Sequence, residues 1–226
     1  MNKIKEFDFE NGLGKCGSRV DIWVEFINFH AIECMVEIGV FRGEFAERIL
    51  RKSTSLKTYH MIDPWRNQET WNKPANKDNE TFEKYYLETL DKTDFAINKR
   101  NILRGRTTEV IGEIPDESLD FAYIDGDHTL RGITIDLISV YPKIKDNGWI
   151  AGDDFSRTIW QHATHFEPTL VFPYAVYFAE AMGMIIYALP FNQFLLRKSR
   201  NRQFEFIDLA GGYDDTSLNN QLIDPS

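Results

Sequence analysis

The segment of residues 119–155 constrains the fold most, because it reads as a strand, a helix and a second strand, and each strand ends in acid. Strands rich in Val, Ile, Tyr and Phe that stop at Asp are typical of a buried parallel sheet. In open α/β sheets the ligand site lies at the carboxyl ends of the strands. We therefore expect four carboxylates to meet in one crevice, those of Asp125, Asp127, Asp153 and Asp154.

Four carboxylates in one crevice repel each other unless a cation or a cationic ligand lies among them. The pattern therefore predicts a site for an oxygen-preferring metal ion or for substrate activation, with His128 beside it. A simpler interpretation stays open, in which Asp125 only ends its strand, and Asp153 with Asp154 caps the following helix.

Strand and helix alternate five times before two short apolar segments, residues 184–189 and 193–197, that are separated by a turn of about three residues. The alternation predicts a mostly parallel sheet with helices on both faces, and the short turn predicts an antiparallel hairpin at its end. No internal repeat or Pro/Ser-rich linker interrupts the chain. We predict a single domain over residues 1–226, with a core at about 20–198, an N-terminal arm at 1–19 and a polar tail of low order at 204–226.

Composition excludes several classes of partner. The net charge of −9 argues against nucleic acid and anionic membranes as partners, because both require basic surface. No apolar run approaches the ~18 residues of a membrane span, and the N-terminus lacks the apolar core of a signal peptide. The two cysteines, Cys16 and Cys34, have no metal-ligand spacing and indicate a reducing compartment. These features predict a cytoplasmic protein.

Two glycines mark a turn between the first strand and its helix. Gly39 and Gly43 allow the backbone to approach a ligand at a helix N-terminus, and Asp63 ends the next strand, where an acid can accept both hydroxyls of a ribose. The G-x-x-x-G spacing differs from the dinucleotide fingerprint, and there is no P-loop. The pattern favours a nucleoside ligand and disfavours a nicotinamide oxidoreductase.

Taken together, the motifs VEIGVFRGEFAERIL, YHMIDPW, LRGRTTEV and LDFAYIDGDHT with GWIAGDDF resemble class I S-adenosylmethionine-dependent methyltransferases over about residues 20–198. The resemblance is greatest to small bacterial O-methyltransferases, the family of the macrolide-sugar and cephalosporin-related metal-dependent enzymes. It implies a Rossmann-like methyltransferase fold, with a seven-stranded, mostly parallel sheet, a C-terminal antiparallel hairpin and helices on both faces.

The resemblance also implies which residues bind the cofactor, S-adenosylmethionine. Asp63 matches the ribose-binding acid, and Arg106 departs from the small or acidic residue usual beside the adenine. For Trp65, contact with the cofactor and simple packing are equally compatible with the motif. The implied cofactor-binding set is Glu37, Gly39, Gly43, Asp63, Trp65, Gly105, Arg106, Thr107 and Asp125.

At the chemical end of the site, the resemblance implies a divalent metal ion, magnesium by its preference for oxygen ligands, held by Asp125, Asp153 and Asp154. Such an ion lowers the pKa of an acceptor hydroxyl and fixes its direction. His128 matches the general base of the sugar-methylating relatives, with Asp127 as the residue that orients it. The implied catalytic residues are thus His128 and Asp125.

The sequence therefore predicts an S-adenosylmethionine-dependent methyltransferase with metal-assisted O-methylation of a small-molecule hydroxyl, such as one on a sugar or glycoside. Two alternatives remain: a metal-free methyltransferase with His128 as base, and a catalytically inactive cofactor-binding protein of the same fold. Acceptor choice is expected to depend on the loops at residues 66–84 and 156–170 and on the N-terminal arm. The arm and the tail are candidates for contact with a second copy of the chain in a homo-oligomer.

Overall fold

The computed structural model describes residues 16–199 and 203–213, so residues 1–15 of the predicted arm and 214–226 of the predicted tail lie outside it. Helices and strands follow one another in an α/β order. In chain order the elements are α1 (Arg19–Phe29), β1 (Cys34–Ile38), α2 (Glu44–Lys52), β2 (Thr58–Asp63), α3 (Asn79–Lys92), β3 (Arg100–Arg104), α4 (Thr107–Val110), β4 (Leu119–Ile124), α5 (Leu130–Val140), β5 (Ile144–Gly152), α6 (Val171–Met182), β6 (Ile185–Leu189), β7 (Gln193–Arg197) and β8 (Glu205–Asp208).

One sheet contains all the strands of the described residues, in the order β3-β2-β1-β4-β5-β7-β6-β8. The first five strands pair in parallel, whereas β7 is antiparallel to both β5 and β6. The predicted parallel sheet with a C-terminal antiparallel hairpin is thus confirmed.

The sheet has one strand more than predicted. The segment expected to begin a tail of low order forms β8, which pairs in parallel with β6. Its charged ends, Glu205 and Asp208, give it a polar appearance in the sequence. Phe206 nevertheless packs against the core cluster on one face of the sheet, and that apolar contact gives the edge strand its place.

Alternating side chains of the strands enter two cores, one on each face of the sheet. Met35 and Tyr59 lie in the core covered by α1 and α2, whereas Val36 and Ile38 lie in the core covered by α5 and α6. Burial on both faces explains why the central strands are nearly continuous apolar runs.

The chain reverses its direction of strand addition between β1 and β4, which are neighbours in the sheet. This is the switch point at which open α/β sheets form a crevice at the carboxyl ends of their strands. The predicted motif residues all lie where strands end at this edge: Gly39 and Asp125 directly follow β1 and β4, and Asp63 is the last residue of β2. None of the helices in the described part of the chain has the length and apolar character to span a bilayer.

Candidate active site

The turn after β1 lies directly against the end of β4. Gly39 has a φ of +88°, and a Cβ atom there would come within 2.1 Å of the carbonyl oxygen of Asp125. Gly43, with a φ of +75°, caps the start of α2 and packs on Thr89. Only glycine adopts these conformations without strain. Gly39 lines the cavity of the site, whereas Gly43 shapes the turn from behind it.

Asp63, at the end of β2, holds this turn in place. Its Oδ2 accepts hydrogen bonds from the backbone N–H groups of Val40 at 3.0 Å and Phe41 at 2.8 Å. Its Oδ1 accepts one from the backbone N–H of Trp65 at 2.8 Å. Burial raises the pKa of Asp63 to about 6, although these three donors favour the ionised form. The carboxylate thus builds the turn, and it also lines the cavity, where Oδ1 can accept a further hydrogen bond.

Trp65 lies behind the wall of the cavity. Its side chain is buried, its Nε1 donates to the carbonyl oxygen of Phe41 at 2.7 Å, and its ring packs on Tyr86. The residue does not line the cavity. Of the two interpretations of its motif position, this arrangement favours packing.

Glu37 is the penultimate residue of β1 and is buried on the α1 side of the sheet. Its Oε2 accepts a hydrogen bond from the hydroxyl of Tyr59 at 2.7 Å. Burial raises its pKa to about 8 from an ordinary value of 4.5. The residue lines the cavity, so it presents a carboxyl group whose proton can be released when a cationic ligand group approaches.

This raised pKa predicts a specific pH dependence of stability. Between pH 4.5 and about pH 8 the folded chain keeps a proton on Glu37 that the unfolded chain has lost, so the free energy of unfolding falls as pH rises. In Glu37→Gln we expect that decline to be shallower, by up to about 1.4 kcal/mol per pH unit. Urea unfolding at a series of pH values measures it. The control is Glu33→Gln, an exposed acid outside the cavity, and equal slopes in both variants would contradict the assignment.

The third motif forms another side of the cavity. Gly105, Arg106 and Thr107 all line it, as the resemblance implied. Arg106 is paired with Glu109, Nη2 to Oε1 at 2.8 Å, so its charge is already compensated. The Thr107 hydroxyl donates to Oδ1 of Asp136 at 2.6 Å.

Asp136, on α5, is a cavity residue that the sequence analysis missed. It is buried, it lines the cavity, and burial raises its pKa to about 7. A signal existed in the sequence, since Asp136 stands among the apolar residues of LRGITIDLISV, on the helix face that packs against the sheet. The residue adds a hydrogen-bonding group beside Thr107.

The cavity has a volume of about 710 Å³, which is within the range of small-molecule sites. Among the predicted residues, Gly43, Trp65 and Asp153 do not line it. Those that do are Glu37, Gly39, Asp63, Gly105, Arg106, Thr107, Asp125, Asp127, His128 and Asp154.

A guanidinium group from α1 lies between two of the predicted acids. Nη1 of Arg19 is 3.0 Å from Oδ2 of Asp125 and also forms an ion pair with Oδ2 of Asp153. The other oxygen of Asp153, Oδ1, accepts a hydrogen bond from Nε2 of Gln193. Although burial opposes its charge, Tyr123 and Asp125 raise the pKa of Arg19 above its ordinary value. Arg19 and Gln193 are both residues that sequence reasoning did not identify.

His128 follows the end of β4 and is oriented by Asp154. Its Nδ1 lies 2.5 Å from Oδ2 of Asp154, and Asp154 itself has a left-handed φ of +58°. The predicted partner, Asp127, instead accepts a hydrogen bond from the backbone N–H of Thr129 at 3.0 Å. The orienting acid is therefore Asp154, which corrects the prediction.

The other ring nitrogen of His128, Nε2, is buried and has no hydrogen-bond partner, and Oδ1 of Asp125 is 3.6 Å away. Although burial opposes protonation, the hydrogen bond to Asp154 and the charge of Asp125 raise the pKa of His128. A histidine held at Nδ1 with Nε2 uncommitted is arranged to accept a proton at Nε2.

The acids predicted to hold magnesium are not arranged as a metal site. Within the described residues, no group of three or more His, Cys, Asp or Glu side chains is placed to hold a metal ion. Asp125 and Asp153 face Arg19, and Asp154 faces His128. Because nitrogen donors already occupy both oxygens of Asp153 and one oxygen each of Asp125 and Asp154, the structure does not support the predicted metal set.

Two loops cover one end of the cavity and are joined to each other. The backbone N–H of Asn72 donates to Oε2 of Glu167 at 2.7 Å. Nζ of Lys73, which is buried, donates to the carbonyl oxygen of Pro168 at 3.1 Å and to the hydroxyl of Thr169 at 3.2 Å. These contacts join the predicted excursion at 66–84 to the segment at 156–170. We call the two joined loops, residues 66–78 and 156–169, the cover.

The chain was compared with known proteins. The family described as Methyltransferase domain matches residues 36–155, more than half of the chain. A search against curated protein sequences found no match. Among solved structures, a Staphylococcus aureus protein assigned as a caffeoyl-CoA O-methyltransferase is similar, with 17% identity and a TM-score of 0.61 over 80% of this chain and 82% of that chain.

Two further structures show the same likeness. The O-methyltransferase from Bacillus cereus, in complex with SAH, is 13% identical, with a TM-score of 0.57 over 80% of each chain. A cofactor-bound protein from MTB is also 13% identical, with a TM-score of 0.56 over 82% of this chain and 81% of that chain. At these identities the similarity establishes a shared fold.

Proposed function

The chain belongs to the methyltransferase domain family, and from this premise we propose that it transfers the methyl group of S-adenosylmethionine to a hydroxyl oxygen of a small molecule. The observation that carries the proposal is the pair of His128 and Asp154: His128 lines the cavity, and its Nε2 has no hydrogen-bond partner. A methyl acceptor with a hydroxyl group must lose a proton, and this nitrogen can receive it.

The residues around the other end of the cavity fit the methyl donor. The turn at Gly39 brings backbone close to the ligand, Asp63 offers Oδ1 to a ribose hydroxyl, and Glu37 offers a buried carboxyl group to a cation. Thr107 and Asp136 offer polar atoms for a nucleobase. The MTB and Bacillus cereus structures, which hold a cofactor and SAH, have the same fold, which supports this choice of donor.

S-adenosylmethionine supplies an electrophilic methyl carbon bonded to a sulfonium sulfur. His128 Nε2 takes the hydroxyl proton as the carbon–oxygen bond forms and the carbon–sulfur bond breaks, which leaves a methyl ether and S-adenosylhomocysteine. Asp154 keeps the proton of Nδ1 and stabilises the imidazolium that forms. Most of the rate enhancement must come from alignment, because the transfer needs no covalent intermediate.

The cover suggests the class of acceptor. Trp71 offers an aromatic face, and the polar side chains of Gln68, His162 and Glu167 line the same part of the cavity. An aromatic face with several hydrogen-bonding groups suits a polyhydroxylated ring. We therefore propose a sugar or glycoside hydroxyl as the acceptor.

The reaction proposed here includes no step through a metal ion. Metal assistance was the expectation from the resemblance, but the contacts of Asp125 and Asp153 with Arg19 favour the alternative in which His128 acts as the base. An inactive protein of this fold would bind the cofactor but methylate no acceptor. A turnover assay therefore distinguishes it from the metal-assisted and the metal-free enzyme.

The proposal is tested by calorimetric titration of S-adenosylmethionine and S-adenosylhomocysteine, followed by mass spectrometry on a panel of hydroxylated small molecules. We expect affinities on the order of micromolar and an acceptor that gains one methyl group. Asp63→Asn is expected to weaken both affinities by about tenfold or more, because a side-chain amide would face backbone donors. Its control is Asp116→Asn, an exposed acid outside the cavity.

Failure of both ligands to bind the wild-type chain would overturn the proposed function. Binding of both ligands with no turnover on any member of the panel would favour the inactive alternative. An equal loss of affinity in Asp63→Asn and Asp116→Asn would show that the proposed donor-binding residues are misplaced.

A further inference from the structure

The acids at the carboxyl ends of β4 and β5 need a compensating positive charge. Asp125 and Asp154 lie close enough to affect one another electrostatically, and Asp153 shares the guanidinium of Arg19 with Asp125. Like charges at this separation are unfavourable unless a cation lies among them. In this chain the guanidinium of Arg19 lies among them.

Arg19 is built to reach the cluster. It is the first residue of α1, and Ser18 caps that helix through its side chain, which accepts from the backbone N–H of Asp21. The Arg19 side chain is 35% exposed and lines the cavity. Asp153 forms an ion pair with Arg19 but does not itself line the cavity. The guanidinium therefore separates Asp153 from the space that a bound ion would enter.

Both oxygens of Asp153 and one oxygen each of Asp125 and Asp154 are already matched to nitrogen donors. Asp153 has Arg19 on Oδ2 and Gln193 on Oδ1. Asp125 has Arg19 on Oδ2. Asp154 has His128 on Oδ2, and Gln161 donates to both of its oxygens at 3.2 Å when its amide nitrogen faces the carboxylate. A divalent ion would have to displace a planar, permanently charged group from between two carboxylates.

We propose that Arg19 is a positioning residue that takes the place of a divalent cation in this site, so that the acids are neutralised by the chain's own guanidinium and the site requires no metal ion. Arg19 holds Asp125 and Asp153 in one geometry, with Asp125 beside Nε2 of His128. A chelator cannot remove this cation. This inference rests on the proposed function, because it assumes that the cavity beside these acids is the site of methyl transfer.

The test is titration of the full chain with manganese, followed by electron paramagnetic resonance, in the absence and in the presence of saturating S-adenosylhomocysteine. We expect no saturable manganese binding at millimolar concentration by the wild type. Arg19→Ala should bind one manganese ion at least about tenfold more tightly than the wild type, because Asp125 and Asp153 become available. Arg19→Lys, which keeps a positive charge, should behave as the wild type does.

The matched control is Arg48→Ala, an exposed arginine on α2 that does not line the cavity, and it should not change manganese binding. Saturable binding by the wild type that is lost in Asp153→Asn would overturn the inference, and so would an Arg19→Ala variant that folds and binds no manganese. If Arg19→Ala fails to fold, the wild-type and Arg19→Lys titrations decide alone. S-adenosylhomocysteine binding is measured separately, so a failure of the proposed function is distinguishable from a failure of this inference.

Discussion

Replacing His128 with glutamine is expected to lower kcat by about two to four orders of magnitude while leaving the affinity for S-adenosylhomocysteine nearly unchanged. The reason is that Nε2 is the atom of the pair with Asp154 that can receive the acceptor proton. Glutamine keeps similar polarity and size but accepts a proton far less readily. The measurement is steady-state methyl transfer to an acceptor found in the screen, with the ligand affinity determined by calorimetry.

The pH profile adds a second readout. A base must be neutral to act, and the hydrogen bond to Asp154 and the charge of Asp125, against the effect of burial, raise the pKa of His128 above 6.5. For the wild type, kcat/KM should therefore rise with pH through that elevated pKa, and the rise should be absent in His128→Gln. His60→Gln, on β2 outside the cavity, is the control. A variant at position 128 that keeps the wild-type rate and profile would show that the base lies elsewhere.

Replacing Gly39 with alanine is expected to abolish cofactor binding and to lower the free energy of unfolding by about 2–4 kcal/mol. A Cβ atom at this position would lie 2.1 Å from the carbonyl oxygen of Asp125, and the φ of +88° is unfavourable for alanine. The turn after β1 and the end of β4 must then separate, and both line the cavity. Urea unfolding and calorimetric titration with S-adenosylhomocysteine measure the two effects.

Gly112→Ala is the matched substitution for this experiment. No atom lies within 4 Å of a Cβ atom at that position, and its φ is not in the left-handed region. We expect no loss of stability there, because alanine at an unstrained position restricts the unfolded chain. Similar stability and similar affinity in the two variants would contradict the close approach of the two turns.

The central fold and the cofactor end of the site follow from local patterns that the sequence displays. Gly39, Asp63 and Asp125 each lie at or directly after the end of an apolar strand, and strand ends of a parallel sheet meet at one edge. The helix predicted within residues 119–155 is present as α5, between β4 and β5. These features depend on neighbours within a few residues along the chain.

The features that escaped prediction depend on partners far apart in the sequence. The contact between Arg19 and Asp125 joins residues 106 positions apart, and that between Gln193 and Asp153 joins residues 40 positions apart. Arg19 was counted as part of a polar arm, and no local pattern shows that α1 directs it toward the acids. The four acids in the sequence did indicate that a cation would lie among them. Their pattern gives no indication that this cation is an arginine of the same chain.

The place of β7 in the sheet sets the order in which a growing chain can complete this site. In the sheet β7 lies between β5 and β6, but in the chain it follows β6. The strand β6 therefore has no neighbour on the side facing β5 until residues 193–197 have been synthesised. Gln193 on the same strand is also the amide partner of Asp153, Trp23 and Tyr123. A nascent chain therefore carries its strand-end acids before the hydrogen bonds that hold Asp153 exist, and the site is complete only after residues 193–197 have been made.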